Sequence, residues 1–255
     1  MNPRYFLRLG AGKTRRYPLS LKAALLDQAA QAGLPVPAGI VLLDEGWRYL
    51  QADGSVMVDG DSIHVAGADT LLQTFALRAL PRPVALRPVF VAADRSETDP
   101  TGRFPVRLNV SHVDAHALIY ALVEVWQAAK GQSDILRRDI LVMDMVTAQQ
   151  AGTALLYKDD PNDVLHLAPQ AGEQPAPETL GLRKLTGGQR PTANAPHLRR
   201  LQQLLRGVRR TLTQPGGDWA VEWLDDGDIC WLWEIRPNFS PRRAASPHTP
   251  DTNAQ

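Results

Sequence analysis

The residues best suited to chemistry lie near the end of the chain, in a segment of alternating residues at 218–237. Two runs of strand-like residues flank an Asp-Asp-Gly-Asp turn at 225–228, a pattern typical of a β-hairpin. Glu222 stands on the first run, and Glu234 and Arg236 stand on the second. Carboxylates bind divalent cations and arginine binds phosphate. If these side chains share a face, the hairpin can hold a cation and a phosphate group.

The register of this hairpin follows from the distribution of polar residues. An odd-length loop, such as 226–228, places all the even-numbered residues on one face: Asp218, Ala220, Glu222, Leu224, Cys230, Leu232, Glu234 and Arg236. The opposite face is then almost wholly apolar: Trp219, Val221, Trp223, Trp231, Trp233 and Ile235. A two-residue loop would mix charges and tryptophans on both faces, and a one-residue slip is costly when one face is buried. We therefore predict the odd loop, with Glu222 diagonal to Glu234 and Arg236 one step beyond; the alternative is a solvated polar face.

The composition indicates a soluble globular protein. The 255 residues suffice for one large domain or two lobes, and 44% are hydrophobic and 22% charged. A net charge of +1 favours neither nucleic acid nor an anionic membrane as partner. Cys230 is the only cysteine, which argues against a disulfide framework. No apolar run approaches the length of a membrane span and the N-terminus lacks a signal peptide's apolar stretch, so we expect a cytoplasmic location.

The hydrophobic pattern predicts alternating helices and strands. Helices are expected at 20–32, with Leu21, Ala24, Leu25 and Ala29 buried, at about 69–79, after Ser111 as cap, and at 197–212. Strands are expected at 38–43, 84–87, 140–146, 154–157 and 164–168. Short β pieces with Asp-Gly turns are expected within 44–83, a polar loop at 92–105, and a long loop or flap at 169–196. The arginines of the helix at 197–212 are predicted to face water, and residues after 241 to be disordered.

Three spaced segments together resemble the nucleotide-binding domain of the phosphoenolpyruvate synthase and pyruvate phosphate dikinase family. Residues 20–39, from Ser20-Leu21-Lys22 to Gly33-Leu34-Pro35-Val36-Pro37-Ala38-Gly39, are similar to G-G-K followed by a helix and A-G-L-P-V-P-x-G. Residues 84–110 are similar to V-A-V-R-S-S-A-T-x-E-D through L-N-V, and the hairpin is similar to D-I-E-W followed by L-Q-x-R-P. Residues 144–152 resemble the strand pair that passes the adenine. The order and spacing of these segments carry the match.

The resemblance implies an α+β fold, a two-lobed ATP-grasp-like domain with antiparallel sheets and flanking helices. It would span residues 1–241, with lobes of roughly 1–87 and 88–241, and 242–255 would form a disordered tail. The implied ligand is Mg-ATP. Lys22 and Arg87 would hold the triphosphate, and Met143 and Met145 would lie at the nucleotide.

The resemblance also gives roles to the hairpin residues. Glu222 and Glu234 would bind magnesium, and Arg236, with Arg87, would stabilise the phosphoryl group in transfer. Position 234 is Gln in the family pattern, and Glu is a stronger magnesium ligand. For each of these residues the alternative interpretation is a surface salt bridge.

The chain departs from the family at the loop that should close over the phosphates. The small hydroxyl residues after the arginine are replaced by Pro88-Val89-Phe90, and the E-D pair by Ala93-Asp94. The chain also ends about where the family's first domain ends, before the phosphohistidine and pyruvate-binding domains.

Two hypotheses follow for the function. The first is an ATP-dependent phosphotransferase component that passes phosphate to a histidine on a separate protein, or to a small-molecule substrate. The second is a catalytically degenerate relative that acts as a regulatory or scaffolding subunit. A nucleic-acid binder that uses the arginine-bearing helix finds no support in the net charge or in aromatic residues.

Overall fold

A computed structural model describes residues 5–13, 17, 19–59, 62–66, 82–92, 104–129, 135–168, 179–212 and 217–238. The predicted helix at 69–79, most of the predicted loop at 92–105, and the tail after 241 lie outside these residues.

The described residues form strands and helices that we number in chain order. The strands are β1 (Phe6–Arg8), β2 (Gly39–Leu42), β3 (Val56–Asp59), β4 (Ser62–Val65), β5 (Val84–Pro88), β6 (Val91–Ala92), β7 (Arg107–Val110), β8 (Ile135–Arg137), β9 (Ile140–Asp144), β10 (Gln150–Leu156), β11 (Asn162–Leu167), β12 (Thr179–Arg183), β13 (Trp219–Asp225) and β14 (Cys230–Pro237). The helices are α1 (Leu21–Gln31), α2 (Asp44–Ala52), α3 (Ala115–Gln127) and α4 (Pro196–Thr211).

Two five-stranded antiparallel sheets organise these elements. The first has the order β1-β2-β9-β5-β7, and the second has the order β12-β11-β10-β13-β14. Two small ladders, β3-β4 and β6-β8, are separate from them. The predicted boundary between the two lobes lies near residue 87. The first sheet contains strands from both sides of this boundary, since β1 and β2 precede it and β7 and β9 follow it. The α+β class with antiparallel sheets and flanking helices, predicted from the sequence, is confirmed.

The central strands of the first sheet are buried on both faces because a hydrophobic core lies on each side of them. Every residue of β9 and of β5 is buried. One core lies under α2 and α3 and takes the even-numbered residues of these strands, such as Leu86 and Val142. The other core includes Leu141 and Met143 and is shared with α1, α4 and the second sheet. Residues that point to this second side of β5 therefore face the second sheet.

Helix α1 begins as the sequence predicts, but its buried stripe differs in part. The Ser20 hydroxyl accepts a hydrogen bond from the Ala23 backbone N–H at 3.3 Å and caps the helix. Leu21, predicted to be buried, is 51% exposed, whereas Ala23 and Leu26 are fully buried. The core lies between α1 and β14. The side of the helix that faces it carries Ala23 and Leu26, and Leu21 lies outside this side.

The structure differs from the sequence predictions at three other elements: the cap of α3, helix α2 and strand β12. The cap of α3 is Asp114, whose carboxylate accepts from the Ala117 backbone N–H at 3.1 Å, whereas Ser111 accepts from Asp114 itself. Helix α2 was not predicted, because its short sequence follows a strand directly. Strand β12 lies inside the stretch predicted to be a loop at 169–196, where it pairs with β11.

The arginines of α4 face water only in part: Arg199 and Arg210 are exposed as predicted, whereas Arg200 and Arg209 pair with buried carboxylates. Arg200 donates to both carboxylate oxygens of Asp225, at 2.8 and 2.6 Å, and this carboxylate is 1% exposed. Arg209 contacts the buried carboxylate of Asp163. Two further arginines donate to backbone carbonyls of the preceding loop: Arg206 and Arg210. These four side chains anchor the helix to the second sheet and its loops.

Within the described residues, no helix is long and apolar enough to cross a membrane.

Candidate functional site

The hairpin of β13 and β14 closes with a four-residue loop, so the predicted odd-length loop is wrong. Asp225 pairs with Cys230, and residues 226–229 form the turn. The Asp226 carboxylate accepts hydrogen bonds from the backbone N–H groups of Asp228 and Ile229, at 3.0 and 2.8 Å. Gly227 has a φ of 102°, which favours glycine. These local bonds stabilise the longer turn.

A β-bulge at Trp233 then shifts the register by one residue. Trp223 pairs with Leu232, but the next residue back, Glu222, pairs with Glu234. The extra residue on β14 compensates for the even length of the loop, as bulges can. Glu222 and Glu234 therefore lie directly opposite each other on one face, rather than diagonally as predicted.

The even-length loop also changes which residues enter the core on the turn side of the bulge. Cys230 and Leu232 are buried together with Trp223, at 3% exposed or less. Trp231 and Trp233, predicted to lie on the apolar face, are half-buried instead. Burial raises the pKa of the Cys230 thiol, which supports the role of a small packing residue rather than a nucleophile.

Strand β5 brings Arg87 to this hairpin. Val84 and Leu86 point into the core under α3, so Arg87 points to the other side of the sheet. Arg87 is 5% exposed, and its guanidinium donates to the backbone carbonyl of Trp233 at 2.8 Å and contacts Glu234 Oε2. Its Cζ also lies 5.0 Å from the centroid of the Trp233 ring. Arg87 is thus fixed by an ion pair, a hydrogen bond and a cation–π contact.

Helix α1 brings Lys22 to the same carboxylate. Lys22 lies in the first turn of the helix, and its Nζ is 2.7 Å from Glu234 Oε2. The two side chains are 16% and 13% exposed. One carboxylate oxygen therefore accepts from two cations that come from different parts of the sequence. The pair lies mostly within the protein, unlike the surface salt bridge considered from the sequence.

The two glutamates have opposite electrostatic environments. Burial, and then the charge of Glu234, raise the pKa of Glu222. Burial alone would also raise the pKa of Glu234, but the charges of Arg87 and Lys22 lower it overall. Glu234 is therefore held as an anion. Glu222 faces a like charge directly across the ladder, an arrangement that destabilises a sheet.

This donor set fits a divalent cation that brings further oxygen ligands. Two opposed carboxylates are the protein ligands that Mg²⁺ commonly uses, and a cation between them would relieve their repulsion. Within the described ranges, no group of three or more His, Cys, Asp or Glu residues could hold a metal ion. The remaining ligands at this position would have to come from phosphate or water. Lys22, Arg87 and Arg236 against the two glutamates give the cluster a formal charge of +1.

The other predicted site residues differ in their access to this cluster. Arg236 pairs with Ala220, two residues beyond Glu234 on the same face, and is exposed. Met145 is half-buried at the end of β9, whereas Met143 is fully buried in the core shared by the two sheets.

Two further residues at the cluster were not predicted from the sequence: Trp233 and Thr153. Trp233 holds Arg87 through its carbonyl and its ring, but the sequence carries no signal for the bulge that turns it outward. Thr153 lies directly opposite Glu222 on the other neighbouring strand, β10. The alternation along β10 could have indicated its face, although not its partner.

No protein-family model matches this chain, and no curated protein matches it. Solved structures do resemble it. A carboxyaminoimidazole ribonucleotide synthase from Aspergillus clavatus, complexed with ATP, is 15% identical over 86% of this chain and 44% of its own, with a TM-score of 0.44. A D-alanine–D-alanine ligase from Bacillus anthracis, also complexed with ATP, is 12% identical over 84% and 53%, with a TM-score of 0.44.

A third structure is an acetyl-coenzyme A synthetase from Ca. Korarchaeum cryptofilum, solved with coenzyme A, acetyl-coenzyme A and a phosphorylated phosphohistidine segment. It is 14% identical over 83% of this chain and 96% of its own, with a TM-score of 0.44. The chain spans about half the length of the first two proteins. These three neighbours are ATP-grasp enzymes.

Proposed function

We propose that this protein binds Mg-ATP at the Lys22–Arg87–Glu222–Glu234 cluster and is a phosphotransferase component of ATP-grasp type, related to phosphoenolpyruvate synthase. One observation carries the proposal: two cations from separate elements contact Glu234, a largely buried carboxylate that lies directly opposite Glu222. These are the positions to which the family resemblance assigns nucleotide and magnesium.

Each side chain has a defined role in the proposed complex. Lys22 and Arg87 donate charge-assisted hydrogen bonds to phosphate oxygens, and Arg87 can do so through two N–H groups. Glu222 and Glu234 hold magnesium, which neutralises charge on the phosphates when bound. Arg236, which is exposed on the same face, would stabilise the phosphoryl group in transfer. Loss of one such charged contact costs about 1.5–3 kcal/mol of binding.

The proposal extends to the nucleoside and the acceptor. We assign the contact with the adenine to Met145, which is half-buried, because Met143 is enclosed in the core. The phosphate acceptor is a histidine on a separate phosphohistidine-carrying protein, or a small-molecule substrate. The two-lobed ATP-grasp organisation and a cytoplasmic location belong to the same proposal.

A second candidate function is a catalytically degenerate relative that serves as a regulatory or scaffolding subunit. It is favoured by the packing of the segment after Arg87. Val89 is 2% exposed and Phe90 is 1% exposed, and the Val89 backbone N–H donates to the Asp139 carbonyl at 3.0 Å. A segment buried in this way cannot fold over a triphosphate, and it lacks the hydroxyls that would bind one. A protein of this kind would bind nucleotide without turning it over, or would bind no nucleotide at all.

Calorimetric titration with ATP in the presence of Mg²⁺ tests the proposal. We compare the wild type with Glu222→Gln, and use Glu124→Gln as the matched control because Glu124 is 50% exposed and pairs with Arg107 outside the cluster. We expect micromolar to sub-millimolar binding by the wild type and the control, and at least tenfold weaker binding by Glu222→Gln.

Two outcomes would redirect the interpretation. Absence of binding by the wild type at millimolar Mg-ATP would overturn the proposed function. Mg-dependent binding without phosphate transfer to histidine-bearing or small-molecule acceptors would favour the second candidate.

A further inference from the structure

The cations that the proposed function gives to the phosphates already have an anionic partner. Lys22 Nζ lies 2.7 Å from Glu234 Oε2, and Arg87 contacts the same oxygen. A phosphate group that binds these cations therefore competes with the Glu234 carboxylate for their charge and their N–H donors. Binding at this cluster is an exchange of partners rather than the filling of a free site.

The exchange has different consequences for different ligands. A metal-free polyphosphate would take Lys22 and Arg87 and leave the carboxylate, which is 13% exposed, without a partner. An unpaired charge in such a position is strongly unfavourable. A metal-complexed polyphosphate brings a cation for Glu234 and Glu222 as well as oxygens for Lys22 and Arg87. Each charge in the cluster then exchanges one partner for another.

We propose that Glu234 makes this site selective for metal-complexed polyphosphates and excludes metal-free anions. This selectivity rests on the proposed function, because it concerns the same nucleotide site. It sets this chain apart from the family it resembles, where Gln stands at the position. A neutral amide forms no ion pair, so it would not compete with phosphate for the two cations.

The surroundings of Arg87 allow a clean test of Glu234. The guanidinium also donates to the Trp233 carbonyl at 2.8 Å and lies over the Trp233 ring. These contacts do not depend on the Glu234 charge, so Arg87 stays in position in Glu234→Gln. The variant removes the competing charge and keeps an oxygen that can bind a metal.

The test is calorimetric titration of the wild type, Glu234→Gln and the control Glu124→Gln with ATP, with Mg²⁺ and with EDTA. We expect the wild type and the control to bind Mg-ATP at least tenfold more tightly than metal-free ATP. In Glu234→Gln, metal-free ATP should bind at least tenfold more tightly than it binds to the wild type. The preference for the magnesium complex should shrink accordingly.

A second measurement uses the wild type alone, so it does not depend on the folding of a variant. Inorganic tripolyphosphate should compete with Mg-ATP when Mg²⁺ is in excess, and should fail to bind in EDTA. Equal binding of metal-free and magnesium-bound ligands by the wild type would overturn the role of Glu234 and leave the proposed nucleotide site intact. Absence of binding by both the wild type and Glu234→Gln under all conditions would overturn the nucleotide site itself.

Discussion

Replacement of Arg87 by methionine should separate the cost of the ion-pair cluster from that of ordinary packing. Methionine keeps an unbranched side chain in the same space but removes the charge and the donors. It deletes the contact with Glu234, the 2.8 Å hydrogen bond to the Trp233 carbonyl, and the contact with the Trp233 ring. Glu234 would keep only Lys22 of its two cationic partners.

The magnitude follows from the burial of the pair. The Arg87 and Glu234 side chains are 6% and 13% exposed. Removal of one partner from a buried ion pair costs about 3–5 kcal/mol of unfolding free energy, because the other charge stays behind. For a protein of this size, each kcal/mol lowers the melting temperature by about 2–4 °C. We therefore expect Arg87→Met to melt roughly 6–20 °C below the wild type.

A double-mutant cycle in denaturant measures the coupling directly. Arg87→Met, Glu234→Gln and the double variant are unfolded in urea, with Arg107→Met as a control for the loss of a more exposed arginine that pairs with Glu124. In the double variant neither charge of the pair remains, so its cost should be smaller than the sum of the single costs by about 0.5–3 kcal/mol. Additive costs, within about 0.5 kcal/mol, would refute the account of a coupled buried pair.

Two further predictions concern stability away from the site. Burial raises the pKa of Asp139 to about 6 despite its pair with Arg137. The folded state therefore favours the neutral carboxyl, and the contribution of Asp139 to the free energy of unfolding is lost as pH rises from about 4 through 6. Between pH ~4 and ~7, the free energy of unfolding of the wild type, measured in urea, should fall by about 3 kcal/mol more than that of Asp139→Asn. Equal pH slopes for the two proteins would contradict this. A Cβ on Gly152 would lie 2.5 Å from the His166 carbonyl oxygen, so Gly152→Ala should cost about 1–3 kcal/mol in the same assay. Gly181→Ala, where no described atom lies within 4 Å, should stay near the wild type, and similar costs for both would count against the close strand approach.

Much of the fold could be predicted from local patterns. The helical periodicity after Ser20 predicted α1, and the apolar run predicted β9. The pattern failed where tertiary contacts decide the outcome. Leu21 has the right spacing for the core, but the core lies on the neighbouring side of the helix. Arg200 looks solvated in sequence, yet the nearly buried Asp225 requires a partner.

The site could be predicted only in part for the same reason. The alternation of residues placed Glu222 and Glu234 on one face, and the structure pairs them there by a different route, an even loop followed by a bulge. Neither feature has a signature in the alternation itself. The ion pairs of Glu234 with Lys22 and Arg87 join segments far apart in the chain, and hydrophobic periodicity carries no information on such contacts.

A crystal structure with Mg²⁺ and a non-hydrolysable ATP analogue tests the central claim most directly. We expect the triphosphate against Lys22 and Arg87, and a magnesium ion between Glu222 and Glu234 that has replaced both ion pairs of Glu234. A nucleotide bound elsewhere, with those ion pairs unchanged, would contradict the assignment of this cluster as the nucleotide site.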